Sequence, residues 1–132
     1  MRRTTIISAL IACIAIAVIA PAASASGSTT TTRTIALKGS ISFPNATGKA
    51  VYKVGGGQRE LEIEVQHILV LAGKHVNVFV NGNKIASPLV SSLGAIHVRR
   101  DTERGQSVPT ITTGSTVRVR TLGGTLIAGG TF

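Results

Sequence analysis

The chain has 132 residues, which suits one domain of ordinary size, and a formal net charge of +9 from 14 basic and 5 acidic side chains. This charge favours anionic neighbours such as wall phosphate polymers, acidic lipid or nucleic acid. One cysteine, Cys13, and no tryptophan exclude a disulfide within the chain and argue against a face that stacks sugars or bases on aromatic rings.

The first 25 residues have the pattern of a secretory signal peptide, which would form a helix. Arg2 and Arg3 precede an apolar run over 6–20, and small residues end at Ala25. We expect cleavage after Ala25, which removes Cys13 and leaves a secreted or extracytoplasmic chain without a membrane span. The mature protein would then have no thiol and no disulfide.

Three alternatives to ordinary cleavage follow from the same segment. The paired arginines are compatible with export of a folded protein, and the residues before Cys13 are similar to a bacterial lipidation site. The apolar stretch 6–23 is almost long enough to act as an uncleaved anchor. Thr4-Thr5 and the strong hydrophobicity of the run argue against the first, and the seven apolar or small residues after Cys13 argue against the second. The small residues Ala23-Ser24-Ala25 favour cleavage over the anchor.

Residues 26–32 are small and polar and predict a flexible spacer, and residues 33–132 predict a single all-β domain. Apolar residues recur there at every second position in short runs closed by Gly, Asn, Pro or Ser, which is typical of strands. Seven to nine short strands are expected, in an antiparallel sandwich or barrel of immunoglobulin-like or jelly-roll type. This likeness concerns architecture and implies no function.

The first half of the domain predicts a strand, a turn and a hairpin. The strand covers 33–42, the turn 43–48, and the hairpin strands 49–54 and 59–68 flank a four-residue loop at 55–58. Pairing Val54 with Arg59 sets one register for the hairpin. It places charges together outside (Lys49 with Glu64, Lys53 with Glu60), Val51 opposite Glu62, and apolar groups together inside (Tyr52 with Leu61, Ala50 with Ile63). The glutamates are therefore interpreted as the solvated side of a strand.

The second half predicts further short strands separated by turns. Asn81-Gly82 is a strong two-residue hairpin signal, because both residues accept positive φ, and Pro88 ends the strand that follows. A polar loop is expected over 101–107. The predicted strands or extended segments are 75–80, 84–86, 89–90, 95–99, 109–113, 115–121 and 125–128.

The three histidines, His67, His75 and His97, are the candidate metal ligands. An exported β domain can bind Zn²⁺ or Cu²⁺ through imidazoles. No two of these histidines share a short ligand spacing, however, and no His-x-His pair is present. Three separate histidines without a common site are expected, and no cofactor is predicted.

Catalysis has little support in the sequence. The chain lacks a Gly-x-Ser-x-Gly elbow, and Gly55-Gly56-Gly57 is not followed by the Lys-Ser/Thr of a phosphate-binding loop. Asp101 and Glu103 lie among arginines, which suggests charge pairing on a loop. We therefore predict that the protein is not an enzyme.

Five arginines are candidates for an anion-binding patch if the fold brings them together. Guanidinium groups bind phosphate and carboxylate through charge and paired hydrogen bonds. The alternative is a solvated basic face without a ligand. The candidate residues are Arg99, Arg100, Arg104, Arg118 and Arg120.

The sequence as a whole predicts a secreted, non-catalytic β domain that acts as an interaction or structural module at the cell envelope, with an unidentified protein or envelope component as its partner. The first alternative is a basic protein that binds anionic polymer through the arginines. The second is a histidine-based metal-binding protein or enzyme.

Overall fold

The computed structural model describes residues 28–132, so the predicted signal peptide and the first two spacer residues lie outside the described residues. The domain is all-β, as predicted. Two short 3₁₀ segments, Leu69–Leu71 and Thr102–Arg104, are its only helical turns within the described range. The eight strands are β1 Thr31–Gly39, β2 Thr47–Gly55, β3 Gln58–Gln66, β4 Val76–Val80, β5 Asn83–Ala86, β6 Ile96–Asp101, β7 Thr116–Thr121 and β8 Leu126–Thr131.

All eight strands belong to one antiparallel sheet, in the order β5-β4-β7-β8-β1-β2-β3-β6. The sheet curls into a nearly closed barrel. Of the two expected architectures, sandwich and barrel, the structure therefore shows the barrel. Its two edge strands approach each other where Arg100 Nη2 of β6 donates to the Ile85 carbonyl of β5. Between residues 28 and 132 the structure contains no helix with the length and apolarity needed to cross a membrane.

The barrel consists of two halves with a narrow connection. One half contains β1, β2, β3 and β6, and the other contains β5, β4, β7 and β8. The halves are joined through β1 and β8, which pair only at Lys38 with Gly129 and at Gly39 with Ala128. By contrast, β1 pairs with β2 over almost its whole length. The outer surfaces of the two halves therefore face different directions and are described separately.

The predicted register of the β2–β3 hairpin is confirmed. Val54 pairs with Arg59, and every lysine–glutamate and apolar pair expected from that register is present. The turn is shorter than expected, because Gly55 and Gln58 still pair and only Gly56 and Gly57 lie between the strands. Both glycines have positive φ, at 58° and 77°, and this allows the two-residue turn that matches strand twist.

The core lies inside the barrel and is built from alternate residues of each strand. Inward residues of β3, β4 and β7 are fully buried, while their sequence neighbours face outward. Burial of each such side chain stabilises the fold by about 1.5–3 kcal/mol relative to leaving it exposed. These residues are Leu61, Ile63, Val65, Val76, Val78, Val80, Val117 and Val119.

Some strand boundaries differ from those predicted. β1 begins at Thr31 because Thr31 and Thr32 pair with β2. Residues 109–113 form no strand, and the 89–90 segment contributes only an isolated bridge between Leu89 and His75. β6 continues to Asp101, where a loop was expected, because its last residues pair with β3.

Candidate functional site

The outer surface of β2, β3 and β6, which we call the paired face, holds opposite charges in contact. Lys49 Nζ lies 3.2 Å from Glu64 Oε2, and Lys53 Nζ lies 3.6 Å from Glu60 Oε1. These contacts follow from the hairpin register, since directly opposed residues of antiparallel strands project to the same side. The lysines of β2 thus neutralise two of the three glutamates of β3.

β6 adds a second set of partners on the other side of β3. Arg99 Nη2 lies 3.1 Å from Glu60 Oε2 and 3.7 Å from Asp101 Oδ2. Asp101 is buried, and its side chain also accepts a 2.8 Å hydrogen bond from the backbone N–H of Glu103. Each acidic group of the paired face therefore has a cationic or hydrogen-bonding neighbour.

Glu62 is held in its charged form by His97. His97 Nε2 lies 3.0 Å from Glu62 Oε1. This hydrogen bond is the largest effect and lowers the pKa of Glu62 below its ordinary value of 4.5. Burial opposes it, and the charges of His97, Lys49 and Lys53 each add a smaller lowering effect. A carboxyl group with a lowered pKa is ionised at neutral pH, so Glu62 has no proton to donate as a general acid.

The same neighbourhood contains a possible set of metal ligands. Ligand atoms of Glu62, Glu64 and His97 all lie within 4.8 Å of one another, and within the described part of the chain no other three His, Cys, Asp or Glu residues do so. Two carboxylates and an imidazole are acceptable ligands for several divalent metals. Here, however, Glu62 already contacts His97 and Glu64 already contacts Lys49.

The three histidines are not brought together. His67 Nδ1 lies 2.9 Å from Thr47 Oγ1, and His75 Nδ1 lies 2.9 Å from the carbonyl oxygen of Ser87. Only His97 has carboxylates beside it. No local sequence pattern identifies this group, because it depends on the pairing of β3 with β6, and the β4–β5 hairpin lies between these two strands in the chain.

The outer surface of β4, β7 and β8, with the end of β1 and with β5, forms what we call the basic face. Strand pairing places one row of outward residues across it, each beside the next. The row runs from Lys84 through Phe79, Arg118 and Gly129 to Lys38. Arg120 is the next outward residue of β7, and the chain's five acidic residues all lie on β3, β6 and the Thr102–Arg104 segment. The basic face therefore has no carboxylate of its own.

Arg118 is at the centre of the basic face. Its side chain is exposed and has no ion-pair or hydrogen-bond partner among residues 28–132. Shallow hollows flank it, one lined by Phe79, Thr116 and Arg120 and the other by residues that include Lys38 and Gly129. Arg120 is more constrained, since its Nη1 donates a 3.0 Å hydrogen bond to the Gly124 carbonyl. An anion that approaches Arg118 thus meets a guanidinium group that is free to donate two parallel hydrogen bonds to it.

The structure does not gather the five candidate arginines into one patch. Arg99 is paired with acids on the paired face, and Arg100 lies opposite buried Leu61, on the inward side of β6. Arg104 is exposed on the short helical segment that follows β6. Only Arg118 and Arg120 share a surface, and the residues that complete it are lysines that sequence reasoning missed, Lys38 and Lys84. These lysines can be identified only as the outward residues level with Arg118 on other strands, so the order of strands in the sheet must be known first.

No family model, no curated protein and no solved structure matches this chain. The function must therefore be inferred from the two faces themselves. The paired face is internally neutralised, whereas the basic face presents cations without counter-charges, and the basic face is the better candidate for binding a ligand.

Proposed function

We propose that the protein is a non-catalytic binding module that acts outside the cytoplasm, at the cell envelope or beyond it, and binds an anionic polymer through its basic face. The observation that carries this proposal is the acid-free row of Lys84, Arg118 and Lys38, with Arg120 beside it. Export is supported by the amino-terminal pattern of arginines, apolar run and small residues.

The spacing of the cations favours a polymer over a single small anion. Neighbouring strands lie about 4.8 Å apart, so a row that crosses from β5 to β1 extends over roughly 19 Å. Several repeating anionic groups can contact such a row together. Each contact releases bound counterions, and this favours association with a highly charged chain.

The chemistry of the face favours phosphate-rich polymers over nucleic acid. Phe79 is the only aromatic residue in the row, and binding of single-stranded nucleic acid normally uses several aromatic side chains to stack bases. Arginine and lysine without such platforms recognise charge and phosphate geometry. The ligand class we propose is therefore a linear polyphosphate-type polymer such as an envelope phosphate polymer.

The other readings of the sequence receive less support from the structure. A metal-binding protein or enzyme has, within residues 28–132, only the Glu62–Glu64–His97 group, in which Glu64 already pairs with Lys49. A module that binds only a protein partner would leave the cations of the basic face without an explanation. An immunoglobulin-like or jelly-roll likeness adds nothing here, since such folds host many functions.

The test measures binding of the protein to inorganic polyphosphate as a function of salt. Arg118→Ala with Arg120→Ala should weaken binding by about tenfold or more and lower the slope of log K against log salt by about two. The control is Lys53→Ala with Arg99→Ala, which removes the same net charge from the paired face and should leave binding nearly unchanged.

Two results would contradict the proposal. Equal losses in both double variants would show that net charge alone, not the basic face, attracts the polymer. Binding that is insensitive to salt would remove the electrostatic basis altogether.

A further inference from the structure

Four connections of the barrel lie at one end, which we call the loop end. Successive strands run in opposite directions, so the β1–β2, β3–β4, β5–β6 and β7–β8 loops all emerge on the same side. The loops cover residues 40–46, 67–75, 87–95 and 122–125. Residue 28 and the Gly56–Gly57 turn lie at the opposite end, where Ser28 approaches Gly56.

Exposed apolar side chains are concentrated at the loop end. Six large apolar residues there are between 55% and 100% exposed, whereas elsewhere in residues 28–132 only Val54 is exposed to a comparable degree, at 37%. All four loops contribute to the set. The six residues are Ile41, Leu69, Val70, Leu89, Leu93 and Leu122.

The loops that carry these residues are fixed by backbone hydrogen bonds. Ile68 N–H donates to the Gly94 carbonyl at 3.0 Å, and Val90 N–H donates to the Lys74 carbonyl at 2.9 Å. The β3–β4 and β5–β6 loops touch so closely that a Cβ on Gly94 would lie 2.4 Å from the backbone nitrogen of Leu69. On the other side of this end, Ser40 N–H donates to the Ile127 carbonyl at 2.9 Å. The apolar side chains are therefore held outward by the loop backbones.

Cations surround the apolar residues. Lys38 is the penultimate residue of β1, Lys74 lies in the β3–β4 loop, and Arg120 lies near the end of β7. The nearest strand-end acid is Glu64, and it lies 3.2 Å from Lys49. The loop end thus combines protruding apolar side chains with a positively charged margin.

We propose that the loop end docks on an anionic lipid bilayer, with the apolar loop residues in the boundary between headgroups and acyl chains and with Lys38, Lys74 and Arg120 at the lipid phosphates. Apolar burial and attraction between basic residues and acidic lipid both contribute to such binding. The six side chains belong to four separate loops at one end of the barrel and are exposed, an arrangement suited to insertion into a fluid surface. This proposal goes beyond polymer binding and does not require it.

A second copy of the chain fits the loop end less well than a bilayer. In a symmetric dimer the same surface of both copies would meet, so the cations of one copy would face those of the other. Like charges brought together in this way oppose association. An anionic bilayer instead supplies the opposite charge around the apolar contact.

The test uses vesicles of phosphatidylcholine alone and vesicles of equal parts phosphatidylcholine and phosphatidylglycerol, with binding measured by flotation. The protein should float with the mixed vesicles and much less with the neutral ones. Val70→Ser with Leu93→Ser should reduce flotation with mixed vesicles by about tenfold, because both side chains are exposed and their loss leaves the core intact. Val54→Ser, at the opposite end, is the control and should bind like the original protein.

A fluorescent probe gives a second measurement that does not depend on loss of binding. The chain has no tryptophan, so Leu93→Trp introduces a single reporter at the loop end. Its emission should shift to shorter wavelength when mixed vesicles are added, while Val54→Trp should show no shift. Lys74→Ala should weaken binding to mixed vesicles about fivefold and leave the weak binding to neutral vesicles unchanged.

Three outcomes would overturn the inference. The first is absence of flotation with mixed vesicles, and the second is full flotation of the Val70→Ser, Leu93→Ser variant. The third is that the protein binds no vesicles but self-associates, and that this variant abolishes the self-association. If polyphosphate binding persists in any of these cases, the loop-end proposal fails while the proposed function stands. If the basic-face variants lose polyphosphate binding and vesicle binding is absent, only the polymer is a ligand.

Discussion

The paired face and the basic face lie on two halves of one sheet, and yet the first is internally neutralised and the second is positively charged. The paired face carries Glu60, Glu62, Glu64 and Asp101, each with a cation or hydrogen-bond donor in contact. The basic face carries cations without any acid. The difference shows that the placement of five acidic residues, more than the number of basic ones, decides where this protein can attract an anion.

The two halves also use different means to set strand register. In the β2–β3 hairpin, charge pairs outside and apolar pairs inside agree on one alignment. In β4 and β7 the alternating valines face inward, and the outward residues form no ion pair with one another within the described range, while the Asn81–Gly82 turn aligns β4 with β5. The outward positions of β4 and β7 are therefore free of that structural task. Arg118 is one of those outward positions.

The largest expected effect concerns a glycine in each half. A Cβ on Gly48 would lie 2.2 Å from the Glu64 backbone oxygen, whereas a Cβ on Gly129 would come no closer than 3.2 Å to the Val117 oxygen. We expect Gly48→Ala to lower the free energy of unfolding by about 3 kcal/mol, because β2 and β3 must separate, and Gly129→Ala to lower it by less than about 1 kcal/mol. Denaturant unfolding of both variants measures the difference, and equal losses would contradict it.

An intermediate effect is expected where the edge strands of the two halves meet. Arg100 donates to the Ile85 carbonyl across this seam, so Arg100→Ala should lower the free energy of unfolding by about 1–2 kcal/mol. Amide hydrogen exchange should accelerate in β5 and not in β2. Lys49→Ala is the control, because its ion pair with Glu64 is partly exposed and worth only about 0.5 kcal/mol. Unchanged exchange in β5 would show that Arg100 does not hold the seam.

The smallest expected effect is the pH dependence of the paired face. Because the folded-state pKa of Glu62 lies below its ordinary value of 4.5, this group stabilises the protein above that value, and the contribution is lost as the pH falls through the lowered pKa. Glu62→Gln should therefore reduce stability at neutral pH by about 0.5 kcal/mol and have no effect at more acidic pH, where the two proteins converge.

Thermal unfolding between neutral and acidic pH measures this difference. Glu103→Gln, on the exposed helical segment after β6, is the control for loss of a carboxylate that has no contact with His97. A constant difference between Glu62→Gln and the original protein at all pH values would contradict the assignment.

The parts of the fold that could be predicted are those determined by residues close in sequence. The β2–β3 register and the β4–β5 turn follow from alternation and from Asn81–Gly82, and both are present. The pairs β1–β8, β3–β6 and β4–β7 join distant segments without a turn between them, and no local pattern specifies them.

The candidate site was less predictable for the same reason. Arg118 and Arg120 were identified as outward from their own strand, but the lysines that complete the basic face come from β1 and β5. Arg100 was grouped with the surface arginines because β6 was expected to end before it; pairing with β3 instead turns it toward the interior. Likewise, the approach of His97 to Glu62 exists only because β6 lies beside β3.

The barrel is not fully closed, and its two free borders are poor templates for strand addition. β5 has only four residues and is followed by Pro88, while β6 carries Arg99 and Arg100 side by side. Short length, proline and charge at such borders oppose the stacking of one molecule on another. We therefore expect the protein to tolerate high local concentration, as on a crowded surface, without forming fibrous aggregates.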